Sequence, residues 1–163
     1  MRRKTVSVKI GDLFIGSKHD VKTQSMTTVS TADTEPSIDE AIRIFNAGGQ
    51  LVRFTAPSIK EAKNLENIRN GLIKEGYSKP LVADIHFTPN AAIVASEIVE
   101  KVRINPGNFV DKKKFEIKEY DDETYQEEVK KIEEKFINLI NSCKKNDTAL
   151  RIGTNHGSLS DRI

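Results

Sequence analysis

KVRINPGN, residues Lys101 to Asn108, is the stretch from which the fold is read. Val102 and Ile104 alternate with Arg103 and Asn105, so a strand here carries one apolar face and one polar face. Pro106 and Gly107 stop the strand directly after Asn105. An arginine and an asparagine are therefore presented side by side at a strand's C-terminal end.

The same pattern recurs on both sides. LVRFT (51–55), LVADIH (81–86) and ALRIGT (149–154) each read as a strand ending in polar residues at i, i+2 spacing. VKTQSMT (21–27) reads as the first main strand. Thr5–Ile10, Gly11-Asp12 and Leu13–Ile15 read as a hairpin placed to plug the bottom of a barrel. Between the strands lie helical periods. SIDEAIRIFNAGG carries Ile38, Ala41, Ile42 and Phe45 as a stripe, with Ser37 and Glu40 spaced as a capping box. Pro57-Ser58 opens a second helix, with Glu61 completing its box and Gly76 ending it. Thr88-Pro89 opens a third. Residues 107–120 show no period and read as a loop. A long helix follows from Asp121 or Asp122, with Tyr125, Val129, Ile132, Phe136, Leu139, Ile140 and Cys143 as its stripe.

Strand–helix alternation with short connections implies an α/β fold with a parallel sheet, either open and doubly wound or a barrel. The strand-end chemistry favours the barrel. A closed barrel takes eight strands and ~250 residues, whereas the 163 residues here supply about five strands. The expectation is the first part of a (β/α)8 TIM barrel with an N-terminal β-hairpin, residues 1–163 forming a partial substrate-binding domain and the rest of the barrel lying outside them.

Composition narrows the function. Charge is nearly balanced, at +2, and no long basic block marks a nucleic-acid surface. No stretch has the length of a signal peptide's apolar core or a membrane span, so the chain reads as cytoplasmic. Cys143 is the single cysteine, which excludes a disulfide framework or a multi-cysteine metal site within the chain. Neither GxGxxG nor a P-loop is present.

The strand ends collect Arg53, then Asp84 and His86, then Arg103 and Asn105, then Arg151 followed by Gly153 and Asn155. Alternation turns each set to one side of the sheet. On the opposite side, Val52, Phe54, Ile85, Ile104 and Ile152 are expected beneath the helices. Three arginines at one opening repel one another without an anion, and the planar guanidinium fork suits phosphate oxygens. Gly107 and Gly153 permit close backbone approach. The candidate substrate-binding residues are Arg53, Asp84, His86, Arg103, Asn105, Arg151 and Asn155, with no catalytic or metal-binding residue assigned. Asp84 has a second reading, as the neutralising partner of Arg53 or Arg103. His19 and His156 fall in loops and read as solvated.

TQSMTT (23–28), LVADIHF (81–87), VRINPGN (102–108) and RIGTNHGSL (151–159) together resemble the barrel domain of the 4-hydroxy-3-methylbut-2-en-1-yl diphosphate synthase family, nearly end to end and in matching order. The resemblance implies reductive ring opening of 2-C-methyl-D-erythritol 2,4-cyclodiphosphate in non-mevalonate isoprenoid synthesis. It implies a [4Fe–4S] cluster ligated outside this chain, electrons from flavodoxin or ferredoxin, and a homodimer when complete. On the matched positions, Arg53, Arg103 and Arg151 would clamp phosphate oxygens, while Asp84, His86, Asn105 and Asn155 contact the ligand or orient the arginines. The long segment 108–145 resembles the larger, plant-like subtype. An enzyme portion unable to turn over alone is the leading reading; a stand-alone phosphate-binding half-barrel is the alternative. A pterin- or aldolase-like barrel lacks a strand-end lysine placed for Schiff-base chemistry.

Overall fold

A computed structural model describes residues 3–109 and 121–155. The chain begins with an antiparallel hairpin, β1 (Val8–Ile10) and β2 (Leu13–Ile15), turned at Gly11 with φ of +56°. A parallel sheet follows, with strands β3 (Gln24–Met26), β4 (Leu51–Thr55), β5 (Leu81–Ile85), β6 (Lys101–Ile104) and β7 (Ala149–Ile152). The helices are α1 (Thr34–Asn46), α2 (Ile59–Lys74), α3 (Pro89–Ser96), the single turn α4 (Pro106–Phe109) and α5 (Asp122–Lys145).

Strand order decides between the two expected architectures. It runs β3-β4-β5-β6-β7 without reversal. A doubly wound sheet reverses its order at a switch point. Right-handed crossovers in unbroken sequence place all the helices on one face, and α1, α2, α3 and α5 pack side by side in that order. The architecture is an arc of a (β/α) barrel, as expected.

The two faces of the arc differ in chemistry. On the helix side, Val52, Phe54, Leu81, Ala83, Ile85, Val102 and Ile104 join Leu65, Ile68, Ala92 and Leu139 in the main core. Ile152 belongs to the same face but is 61 % exposed. It was expected beneath a helix, yet β7 is the sheet's edge among the described residues and no described helix follows it. On the opposite face Ile10 packs onto Leu51 and Val82, with Leu13, Ile15 and Ala149 around them. The hairpin is thus the plug that the sequence implied, an apolar floor beneath the inner face of the sheet. Lys9 adds an exposed ion pair to Asp147 at 2.5 Å.

Local signals succeed or fail for definable reasons. Ser58 caps α2, accepting from the Lys60 N–H at 3.1 Å and donating to Glu61, so that box forms. The box expected at Ser37 and Glu40 does not. Helix α1 starts earlier, at Thr34, because Pro36 fits a first turn whose N–H groups are unpaired in any case. Ser37 lies inside the helix and donates to the Ser30 carbonyl at 3.2 Å. Glu40 instead accepts from the Thr28 N–H at 2.9 Å, the Thr28 hydroxyl at 2.8 Å and the Val29 N–H at 3.1 Å, which pins the loop after β3. Partial desolvation opposes ionisation of Glu40, but these hydrogen bonds hold its carboxyl below the usual range.

Asp121 caps α5 through the Thr124 N–H at 2.8 Å. Only the second half of that helix packs, through Leu139 and Cys143, with Phe136 edge-on to Phe109. Tyr125, in the stripe expected to be covered, is exposed. Residues 106–109 form a helical turn where a loop was expected, and the remainder of that segment lies outside the described residues, as does His156. His19 is tied down, stacked on Phe14 and 2.9 Å from the Ser7 hydroxyl. Among the described residues no helix is long and apolar enough to cross a membrane.

If the hairpin is an integral floor, Ile10→Ala lowers unfolding free energy by about 2–5 kcal/mol, the cost of truncating a fully buried aliphatic side chain. Denaturant titration checks this. A change of about 0.5 kcal/mol or less, as at a surface position, would show the hairpin to be undocked.

Candidate functional site

Strand register places the polar side chains in rows on the inner face. One row holds Thr55, Asp84, Arg103 and Arg151, which are Cα partners across β4 to β7. The row beneath, nearer the floor, holds Met26, Arg53, Val82, Lys101 and Ala149. His86, Asn105 and Gly153 follow at the C-terminal ends, where sites on parallel α/β sheets assemble.

Asp84 is the hub. It is 2 % exposed. Arg103 Nη1 donates to its Oδ1 at 2.8 Å. Arg53 Nε lies 3.5 Å from Oδ2, and His86 Nε2 lies 3.7 Å from Oδ1. The Arg103 contact is a charge-assisted hydrogen bond, whereas the other two are too long to rank with it.

The far end of the Arg103 guanidinium is also taken. Its Nη2 donates to the Gly153 carbonyl at 2.6 Å. A Cβ at Gly153 would fall 2.4 Å from Arg103 Nε, so the close approach that this glycine permits is to the guanidinium itself. Arg103 on β6 thereby ties Asp84 on β5 to the chain leaving β7. The second reading of Asp84, as a neutralising partner, holds for Arg103.

Arg53 is left weakly satisfied. Its Nη2 and Nε point at the Met26 thioether, at 3.0 and 3.4 Å, and sulfur is a weak acceptor. Arg151 shares the row of Arg103 but is exposed. Asn105 is buried, and its carbonyl accepts the Phe109 N–H at 2.9 Å. Asn155 stands exposed beyond Gly153. The structure therefore gathers Arg53, His86 and Arg103 around the Asp84 carboxylate. It sets Arg151 and Asn105 on the same face and leaves Asn155 at the margin.

One residue escaped the sequence reading. Lys101 has the same parity as Arg103 and Asn105, which was visible in KVRIN, but it stands at the strand's start and not at its end. It is 9 % exposed on the inner face. Burial first, then Arg151 and Arg53, push its ammonium below the usual lysine range.

Four cations, Arg53, Lys101, Arg103 and Arg151, thus share the inner face of these strands with the single carboxylate of Asp84. The surplus gives this face a positive potential. A metal ion is a different matter. Among the described residues no group of three His, Cys, Asp or Glu side chains is placed to hold one. Cys143 is buried in the helix layer, where desolvation raises its thiol pKa and a hydrogen bond with Ser96 only partly offsets this.

Comparison with known proteins places these features in context. Residues 5–163 match the family model described as the GcpE TIM-barrel domain. Proteins named 4-hydroxy-3-methylbut-2-en-1-yl diphosphate synthase (flavodoxin) align over 99 % of the chain. The Bacteroides thetaiotaomicron protein is 53 % identical over 163 residues, which are 27 % of its own length. The Protochlamydia amoebophila protein is 55 % identical, with 25 % of its length covered. The Leptospira interrogans protein is 51 % identical over 162 residues, with 24 % covered. The chain thus spans about a quarter of the length of these relatives. Among solved structures, the Thermotoga maritima phospho-2-dehydro-3-deoxyheptonate aldolase superposes with a TM-score of 0.50 at 14 % identity, covering 90 % of this chain and 45 % of that one. At that identity the likeness speaks for the fold alone.

Asp84→Asn removes the counter-charge of a buried arginine and costs about 3–5 kcal/mol of stability. Arg53→Met costs about 1 kcal/mol or less, since that contact is longer and partly solvated. Equal losses in chemical denaturation would show that Asp84 does not hold Arg103 in preference to Arg53.

Proposed function

Because the chain belongs to the GcpE TIM-barrel domain family, we propose that its inner strand-end face is the substrate-binding part of a 4-hydroxy-3-methylbut-2-en-1-yl diphosphate synthase. The substrate is a cyclic diphosphate, 2-C-methyl-D-erythritol 2,4-cyclodiphosphate, and the whole enzyme opens its ring reductively with electrons delivered by flavodoxin. The observation that supports this reading is the excess of positive charge on the face that carries Asp84, which the phosphate groups of a cyclic diphosphate offset in large part.

The residues divide by their chemistry and position on the face. Arg53 and Arg151 bind phosphate oxygens directly, because among the described residues Arg53 meets only a thioether and a distant carboxylate and Arg151 is exposed. Arg103 lines the site with its orientation fixed by Asp84 and the Gly153 carbonyl. Asp84 orients the arginines. His86, Asn105 and Asn155 supply hydrogen bonds to phosphate or hydroxyl oxygens.

The [4Fe–4S] cluster that the family implies would supply the electrons for deoxygenation. The residues of this chain do not fit it. Such clusters take several thiolates, and Cys143 is the only cysteine and is buried. The cluster is therefore held by residues outside 1–163, and these residues bind substrate without turning it over. The rest of the barrel pairs with the open edge of β7 and covers Ile152. The complete enzyme is a cytoplasmic homodimer.

Titration calorimetry of the 163-residue chain with the cyclodiphosphate measures the central step. Arg53→Ala and Arg151→Ala each weaken binding about tenfold or more, from the loss of a charge-assisted hydrogen bond of about 1.5–3 kcal/mol. Unchanged affinity in both variants removes the site from this face.

A further inference from the structure

Lys101 is the least explained group of the inner face. It lies in the row between the hairpin floor and Arg103, with Val82 and Ala149 as its Cα partners on either side. Both of those neighbours belong to the apolar floor cluster. Among the described residues its ammonium has no ion pair, and with 9 % of the residue's surface exposed its tip keeps contact with solvent while the stem is buried. The charged groups closest in effect are Arg53 and Arg151, both of its own sign. A lysine whose stem is packed into an apolar floor beside charges of its own sign lowers stability, and side chains of this type are almost never buried unless paired. Nothing among the described residues recovers that cost, since an aliphatic side chain would continue the floor.

We propose that Lys101 is a further binding residue of the strand-end site, contacting an anionic phosphate oxygen of the ligand from beneath while Arg53 and Arg151 hold it from the sides. This deepens the substrate reading above and rests on it. Two residues along a strand span about 6.6 Å, and a lysine stem reaches across one such row to the level of Arg103. The ammonium is a compact point charge with three donors, suited to a single oxygen at the bottom of a site where planar forks occupy the flanks. The direction of its pKa agrees. An ammonium that burial and two arginines push down is restored by a nearby anion, so the ligand supplies the counter-charge that the strands lack.

The role separates from a structural one by opposite signs of effect. In Lys101→Met and Lys101→Gln, chemical denaturation and calorimetry with inorganic diphosphate are run side by side. The expected result is that Lys101→Met unfolds at equal or higher denaturant than the unmodified chain, while diphosphate binds about tenfold more weakly to both variants. Unchanged affinity in the two variants, with diphosphate still binding the unmodified chain, overturns the role of Lys101 and leaves the substrate reading standing. Destabilisation of both variants with affinity intact overturns it likewise and assigns Lys101 to the fold. Failure of the unmodified chain to bind diphosphate or the cyclodiphosphate overturns both readings together.

Discussion

The bond from Arg103 to Asp84, continued to the Gly153 carbonyl, is the constraint on which the inner face depends. It joins the C-terminal ends of β5, β6 and the chain leaving β7 through one planar side chain, 2.8 Å from the carboxylate and 2.6 Å from the carbonyl. Both partners are buried, so the pair is costly to break. Gly153 is part of the device, because any Cβ there would collide with the guanidinium. Asp84 can neutralise only one arginine well. The remaining positive charge on Arg53, Arg151 and Lys101 is a property of the face itself.

Perpendicular to the rows runs a gradient from apolar to charged. The hairpin contributes Ile10, which seals the lower end against Leu51 and Val82. Above it come Lys101 and Arg53, then Asp84 with Arg103 and Arg151, and last His86 and Asn105. Each strand supplies this sequence of layers through its two-residue period, while the alternate residues build the helix-side core. The arrangement excludes water from below and concentrates charge above, which strengthens any contact with an anion.

Much of this was legible in the chain because alternation is local. The parity of Arg53, Asp84, Arg103 and Arg151 follows from spacing alone, as does the hairpin plug. What spacing could not supply was register. Arg53 pairs with Val82 and not with Asp84, one row away, and this is why Arg103 and not Arg53 takes the carboxylate. Lys101 was passed over for a related reason. Its parity was visible, but a lysine at a strand's start reads as solvated until the floor packs around it. The box at Ser37 and Glu40 misled because a helix N-terminus depends on what the carboxylate meets in space, and Glu40 meets the loop after β3. The exposure of Ile152 and Tyr125 reflects what packs against them, which no local pattern contains.

The most direct measurement is a crystal structure of the chain grown with inorganic diphosphate. The account predicts the anion on the inner face between Arg53 and Arg151, above Lys101, with Arg103 still bonded to Asp84 and the Gly153 carbonyl. A diphosphate seated instead at a helix N-terminus on the outer layer, with Arg53 and Arg151 turned away from one another, would contradict it.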